Sequence, residues 1–138
     1  MKQISVFLEN RPGSLFSVLD RLREWEVNLR ALSLADTADF GVLRFIVKKP
    51  EKVIEQLKRD NFTATLTEVL TVGIADQPGG LSSVVGILTG EGLSIEYLYA
   101  FVSPEGKGAY VVLRVEDYDK ARIVLESAGI PLLGDLSL

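Results

Sequence analysis

Two short stretches of this chain hold the residue types best placed to do chemistry. Asn10-Arg11-Pro12-Gly13-Ser14-Leu15 and Asp76-Gln77-Pro78-Gly79-Gly80-Leu81 repeat one pattern, with the prolines 66 residues apart. A strand that ends at a Pro-Gly turn and runs into a helix presents backbone N–H groups with no intrahelical acceptor. Their partial positive charge, reinforced by the helix dipole, suits a small anion such as a carboxylate. Gly13 and Gly79 allow close approach, because no Cβ stands in the way. Asn10 and Asp76 precede each proline by two residues, where a side-chain oxygen would accept from an ammonium group. Donors for a carboxylate beside an acceptor for an ammonium are what a free α-amino acid requires. The same Asn or Asp also reads as an ordinary helix cap, which duplication would copy as faithfully as a site.

Other chemistries lack their residues. Histidine and cysteine are absent, which removes His-based triads, thiol nucleophiles, the usual zinc ligands and redox pairs. Asp117 and Asp119 stand close together where a helix should begin, and acidic residues there complement the helix dipole. Gly90, Gly92, Gly106 and Gly108 show no nucleotide-binding spacing, and no Gly-Lys-Ser/Thr occurs. Neither catalysis, a metal nor a cofactor is expected. Net charge is −4, but residues 1–68 carry +1 and residues 69–138 carry −5. That balance argues against a nucleic-acid partner, which needs clustered Lys and Arg. No apolar run approaches a membrane span, and Lys2, Glu9 and Arg11 interrupt anything like a signal peptide. With no cysteine, the expected compartment is the cytoplasm.

The two turns are part of a longer duplication. At an offset of 66, Val18 falls on Val84, Leu22 on Leu88, Leu29 on Ile95 and Leu32 on Leu98. Further on the offset is 68, pairing Val47 with Val115, Lys52 with Lys120, Leu57 with Leu125 and Phe62 with Ile130. Two residues are therefore added in the second copy, near Ser103 to Gly108. The expected domains are 1–68 and 69–138, with almost no linker and hence a fixed arrangement. A unit this small buries a modest core and needs its twin or another chain.

Each copy has the same predicted order. Residues 2–8 alternate with Ile4, Val6 and Leu8 on one side, as a strand does. Pro12-Gly13 opens a helix whose Leu15, Val18, Leu19 and Leu22 form one apolar face. Strands follow over 29–35 and 42–48, then a helix from Pro50 with Val53, Ile54 and Leu57 inward, then a strand over 63–66. The second copy repeats this with strands at 72–75, 95–102 and 109–115. Helix faces follow Leu81-Val84-Val85-Leu88 and Ala121-Val124-Leu125-Ala128, and a closing strand is expected over 132–136. The order β-α-β-β-α-β is the ferredoxin-like plan, an α+β fold with antiparallel sheets and helices on one face.

These residues resemble the ACT domain, a small regulatory module of amino-acid metabolism. The resemblance rests on the hydrophobic strand, Asn/Asp-x-Pro-Gly-x-Leu, an amphipathic helix, and the strand starts Val27-Asn28-Leu29 and Leu93-Ser94-Ile95. The stretches Leu32-Ser33-Leu34-Ala35-Asp36-Thr37, Phe40-Gly41-Val42-Leu43-Arg44 and Ile95-Glu96-Tyr97-Leu98-Tyr99-Ala100-Phe101 look like the stand-alone tandem ACT proteins of bacteria and archaea. The match spans essentially the whole chain. It implies two ACT units joined side by side into an eight-stranded sheet, within one chain or between two, and a homodimer. It also implies an amino acid bound at the seam between units, with residues 10–15 in one site, residues 76–81 in a second, and a neighbouring unit supplying the opposing wall.

The copies differ at those sites. Charged Asp76 should hold an ammonium group more strongly than Asn10, Ser14 has a hydroxyl where Gly80 has none, and Arg11 stands against Gln77. Arg11 would pair with a ligand carboxylate or remain solvated, and one or both sites would be competent. Tyr97, Tyr99 and Phe101 alternate on one strand and share a face, either lining a pocket, packing an interface or filling a core. Their counterparts Ala31, Ser33 and Ala35 are smaller. The resulting expectation is an amino-acid sensor that passes its signal to a separate enzyme of amino-acid metabolism. The alternative is a constitutive assembly subunit docking on such an enzyme, as the regulatory subunit of acetolactate synthase resembles this chain in one ACT unit.

Overall fold

Apolar side chains recurring every second residue make Ile4, Val6 and Leu8 of β1 (Lys2–Glu9) one buried face. After β1 come α1 (Ser14–Glu24), β2 (Ala31–Asp36), β3 (Phe40–Ile46), α2 (Pro50–Arg59) and β4 (Thr63–Glu68). The second copy runs β5 (Leu70–Ile74), α3 (Gly80–Gly90), β6 (Ile95–Val102), β7 (Ala109–Val115) and α4 (Tyr118–Ser127). The computed structural model describes residues 1–37, 39–102, 106 and 108–134. The chain divides into two compact units, Lys2–Thr67 and Met1 with Glu68–Leu138.

In the first unit the sheet order is β2-β3-β1-β4. Its register pairs Glu9 with Phe40 and Ile4 with Phe45 across β1 and β3, and Asp36 with Gly41 and Ala31 with Ile46 across β2 and β3. Val18 and Leu22 of α1 and Val53, Ile54 and Leu57 of α2 pack onto Ile4, Val6, Leu43 and Phe45. Leu32 and Leu34 lie opposite Phe45 and Leu43, on this same helix-bearing face, yet both remain more than half exposed. The helices thus leave edge strand β2 uncovered.

The second unit has the order β5-β7-β6, with Val84 and Leu88 of α3 and Ala121 and Leu125 of α4 on Val72, Val111 and Leu113. The strand expected over 132–136 is reduced to one bridge, Leu132 with Val72, flanked by Gly73 N–H to the Pro131 carbonyl (3.0 Å) and Leu133 N–H to the Thr71 carbonyl (2.8 Å). Pro131 has no N–H to donate to a ladder; residues 135 and 136 lie outside those described. The described strands accordingly form sheets of four and three, and the eight-stranded sheet is not among their pairings. The site of the two added residues, 103–108, lies largely outside the described residues as well.

The four helices of the described residues stop in the same way. Val27 N–H reaches the Leu22 carbonyl and Glu26 N–H that of Arg23, and the same pair of bonds recurs after α2, α3 and α4. This is the Schellman arrangement, which needs a left-handed residue just past the helix. The second copy uses Gly92 (φ 72°) and Gly129 (φ 75°), whereas the first copy uses Glu26 (φ 56°) and Asn61 (φ 64°). Among the described residues, no helix is long and apolar enough to cross a membrane.

Candidate functional site

The turn before α1 is built by three backbone bonds: Arg11 N–H to Glu9 O (2.9 Å), Ser14 N–H to Arg11 O (3.3 Å) and Ser17 N–H to Gly13 O (2.9 Å). The turn before α3 repeats them with Gln77 to Ala75 (2.9 Å), Gly80 to Gln77 (3.1 Å) and Ser83 to Gly79 (3.0 Å). Each helix begins one residue after a left-handed glycine, Gly13 at φ 90° and Gly79 at φ 88°. Pro12 and Pro78 therefore sit in the turn itself, before the cap, rather than in the first helical turn. That backbone conformation is the reason for Gly13: a Cβ there would meet nothing within 4 Å. The space above it is open. Among the described residues, the amides of Gly13, Leu15 and Phe16, and of Gly79, Leu81 and Ser82, find no protein acceptor.

Neither Asn10 nor Asp76 caps its helix; no side chain does. Asn10 instead donates through Nδ2 to Oδ1 of Asp36 (2.9 Å) and to the Thr37 carbonyl (3.1 Å). These bonds tie the turn to the end of β2. Its own Oδ1 accepts from no protein group among the described residues. Arg11 pairs with Glu9 at 3.0 Å, both side chains being well exposed.

The result is a cavity of about 550 Å³ between the turn and edge strand β2, lined by Asn10, Arg11, Pro12, Ser14 and Leu15 together with Leu34 and Asp36. Gly13, with Pro12 and Ser14, also borders a second concavity of about 610 Å³ on the β4 side. Asp36 is the residue that sequence reasoning missed. The signal was present: Asp36 aligns with Val102 while Asn10 aligns with Asp76, so each copy keeps one carboxylate in this pair of positions.

In the second unit, Gln77, Pro78, Gly79 and Gly80 line a cavity of about 290 Å³ that also touches Ile130; Asp76 and Leu81 are outside its lining. Asp76 is exposed and its carboxylate has no partner among the described residues. Gly80 has a steric reason of its own, since a Cβ there would collide with the Ala75 carbonyl oxygen. Ser14 meets no such obstacle at the matching place.

Tyr97, Tyr99 and Phe101 do share a face, opposite Arg114, Val112 and Tyr110 of β7. It is the face turned away from α3 and α4, because Val111 and Leu113 of β7 pack on the helices. All three side chains are half-buried, and Phe101 packs on Tyr110 with ring centroids 5.4 Å apart. None of the three lines the cavity at the turn before α3. Asp117 caps α4, its Oδ1 accepting from Lys120 N–H at 3.1 Å. Among the described residues no group of three or more carboxylates could hold a metal.

With this geometry in place, comparison with known proteins identifies the fold's kin. Protein BT0572 from Bacteroides thetaiotaomicron is 41% identical with a TM-score of 0.89, over 96% of this chain and 90% of that one. The ligand-free regulatory subunit of aspartate kinase from Thermus thermophilus superposes with a TM-score of 0.62 at 16% identity, over 92% and 91% of the two chains. The corresponding subunit from Thermus flavus gives 0.61 at 18% identity, over 92% of each. At those identities the likeness to the kinase subunits is one of fold. No curated protein matches the chain. The family described as the ACT domain pair matches residues 1–135, and the chain belongs to it.

Proposed function

We propose that this protein is a sensor of a free amino acid. The ligand binds at the turn before the first helix of an ACT unit, against a wall contributed by a neighbouring unit of the same chain or of a second copy in a homodimer. Such a seam would continue the two sheets into the eight-stranded arrangement expected for the family. One observation carries the reading: Leu15, whose amide finds no acceptor among the described residues, lines a cavity of about 550 Å³ together with Asp36, and Gly13, equally unsatisfied, borders the concavity on the β4 side of the same turn. The amides suit the α-carboxylate and Asp36, with the free Oδ1 of Asn10, suits the ammonium. In the second unit, the amides before α3 and the Asp76 carboxylate, which has no partner among the described residues, offer the same two halves. The signal passes to a separate enzyme of amino-acid metabolism, through the difference in ligand affinity between two packing states. The recurrence of this fold in regulatory subunits of aspartate kinase supports a regulatory role.

A thermal-shift panel of the twenty amino acids tests the reading. Ligand at a hundredfold its dissociation constant adds about 2.7 kcal/mol to a folded state that alone binds it. At least one amino acid should raise the melting temperature, and Asp36→Ala or Asp76→Ala should blunt the rise. A panel that leaves the melting temperature unmoved, while a native-cell pull-down recovers one stoichiometric enzyme, favours constitutive docking instead.

A further inference from the structure

At the opposite end of the first unit from the Pro-Gly turn lies another cavity, of about 250 Å³. It sits where α1 ends, β2 begins, β3 ends and α2 starts, at the Ala31–Ile46 end of the ladder rather than the Asp36–Gly41 end. Its floor is apolar: Trp25, Val27, Val47 and Val53, all packed on the unit's core. Its rim carries Arg30, Lys48, Lys49 and Lys52, against one carboxylate, Glu26. Among the described residues, none of these four cations has an ion-pair or hydrogen-bond partner for its side chain. Four unneutralised cations around one hollow repel one another, and an anion seated there relieves that repulsion.

The duplication supplies an internal control. The matching positions in the second unit hold Glu91 for Trp25, Glu96 for Arg30, Glu116 for Lys48 and Asp117 for Lys49. There two of the carboxylates are engaged, Asp117 accepting from Lys120 N–H and Glu96 pairing with Arg114 (3.4 Å), and Lys120 Nζ donates to the Glu91 backbone carbonyl (3.1 Å). The same helix and strands form with carboxylates in place of Arg30, Lys48 and Lys49, so the fold does not require those three cations; Lys52 is matched by Lys120. Lys49 also stands where Asp117 caps α4, and no side chain caps α2. Glu51, in the first turn of α2, is turned to Lys2 at 3.0 Å.

We propose that this hollow, framed by Trp25, Arg30, Lys48, Lys49 and Lys52, binds a small multivalent anion of the phosphate-ester class, its organic part lying on Trp25. One carboxylate would leave most of the rim uncompensated, whereas a phosphate carries about −1.5 to −2 charges and several acceptor oxygens. The hollow also has an apolar floor, which a bare inorganic ion would not use. The site is distinct from the amino-acid turn and would give the sensor a second input.

Trp25 is the only tryptophan in the chain, so its emission reports on this site alone. The whole chain is titrated with inorganic phosphate and with phenyl phosphate, phenol serving as the uncharged control. Expected is a saturable change in Trp25 emission with both phosphates, tighter for phenyl phosphate than for inorganic phosphate, weakening with added salt, and absent with phenol. Lys48→Glu with Lys49→Asp, which copies the second unit, should weaken binding by roughly tenfold or more at an unchanged melting temperature. Arg30→Glu, copying Glu96, should do the same should the double variant lose stability. No saturable change at millimolar phosphate, or an undiminished response in both folded variants, overturns the proposal. So does a wild-type self-association that the variants abolish without any phosphate response, which would assign the rim to the acidic end of a second copy.

Discussion

The Asn10 side-chain amide donates to Asp36 Oδ1 at 2.9 Å, joining the turn before α1 to the end of β2. Twenty-six residues separate the two in sequence, and the second copy holds Asp76 and Val102 in their places. One carboxylate is kept in each pair, moved from the strand to the turn. A carboxylate at both positions would set like charges within hydrogen-bonding distance.

The first prediction follows from that pair. Asn10→Asp should destabilise the protein by about 1 kcal/mol, from a lost charge-assisted hydrogen bond and added repulsion at an exposed site. Combining it with Asp36→Asn should recover most of the loss. A double-mutant cycle in urea reads the coupling; additive effects would mean that the two residues do not interact.

Gly80 and Ser14 occupy equivalent places under unequal constraint. Gly80→Ser should cost more than about 2 kcal/mol, because its Cβ would collide with the Ala75 carbonyl oxygen. Ser14→Gly should cost less than about 1 kcal/mol, the scale of a glycine penalty near a helix end. Urea midpoints of the two variants decide this, and equal losses would contradict it.

Glu26 holds a left-handed conformation that the second copy gives to Gly92. Relief of about 1–2 kcal/mol of strain, against about 0.4–1 kcal/mol of added freedom in the unfolded chain, makes Glu26→Gly stabilising by up to about 1 kcal/mol. Gly92→Ala should lose a comparable amount. A fall in the urea midpoint of Glu26→Gly would show that its side chain does more than tolerate the turn.

Glu51 titrates below the ordinary glutamate range, chiefly because its carboxylate accepts from its own backbone N–H and then because Lys2 donates to it. A carboxyl depressed in the folded state contributes stability above its unfolded value, near pH 4.3, and loses it as pH falls through the folded value. Glu51→Gln should therefore narrow its gap to wild type as pH drops from 5 towards 3, as followed by urea midpoints. A gap that widens on acidification would contradict the sign. The group is fully exposed, so the effect is small.

Much of the fold was legible because apolar spacing decides it. The period-two run of Ile4, Val6 and Leu8 and the helical spacing of Val53, Ile54 and Leu57 leave little choice, and β6 and β7 fall where their patterns place them. Of the strand expected over 132–136, the described residues 132–134 show one bridge at Leu132, beside Pro131, which withholds a donor. At the turn, residue types showed that amides would be exposed. They did not show that Gly13 answers to its positive φ rather than to crowding, nor that the Asn10 amide would be spent on Asp36. Both depend on where distant backbone lies. The change from Asn10 and Asp36 to Asp76 and Val102 was nonetheless written in the repeat, at two positions that the first unit brings into contact.

The most direct test of the account watches the amides themselves. With the chain labelled at nitrogen, its amide resonances are followed by NMR as each amino acid is added to saturation. The account predicts that one amino acid shifts Gly13, Leu15 and Phe16, or Gly79, Leu81 and Ser82, in the direction of stronger hydrogen bonding. If none of the twenty moves either set, or if a bound amino acid shifts resonances elsewhere and leaves both sets in place, the turns are not where this protein reads its ligand.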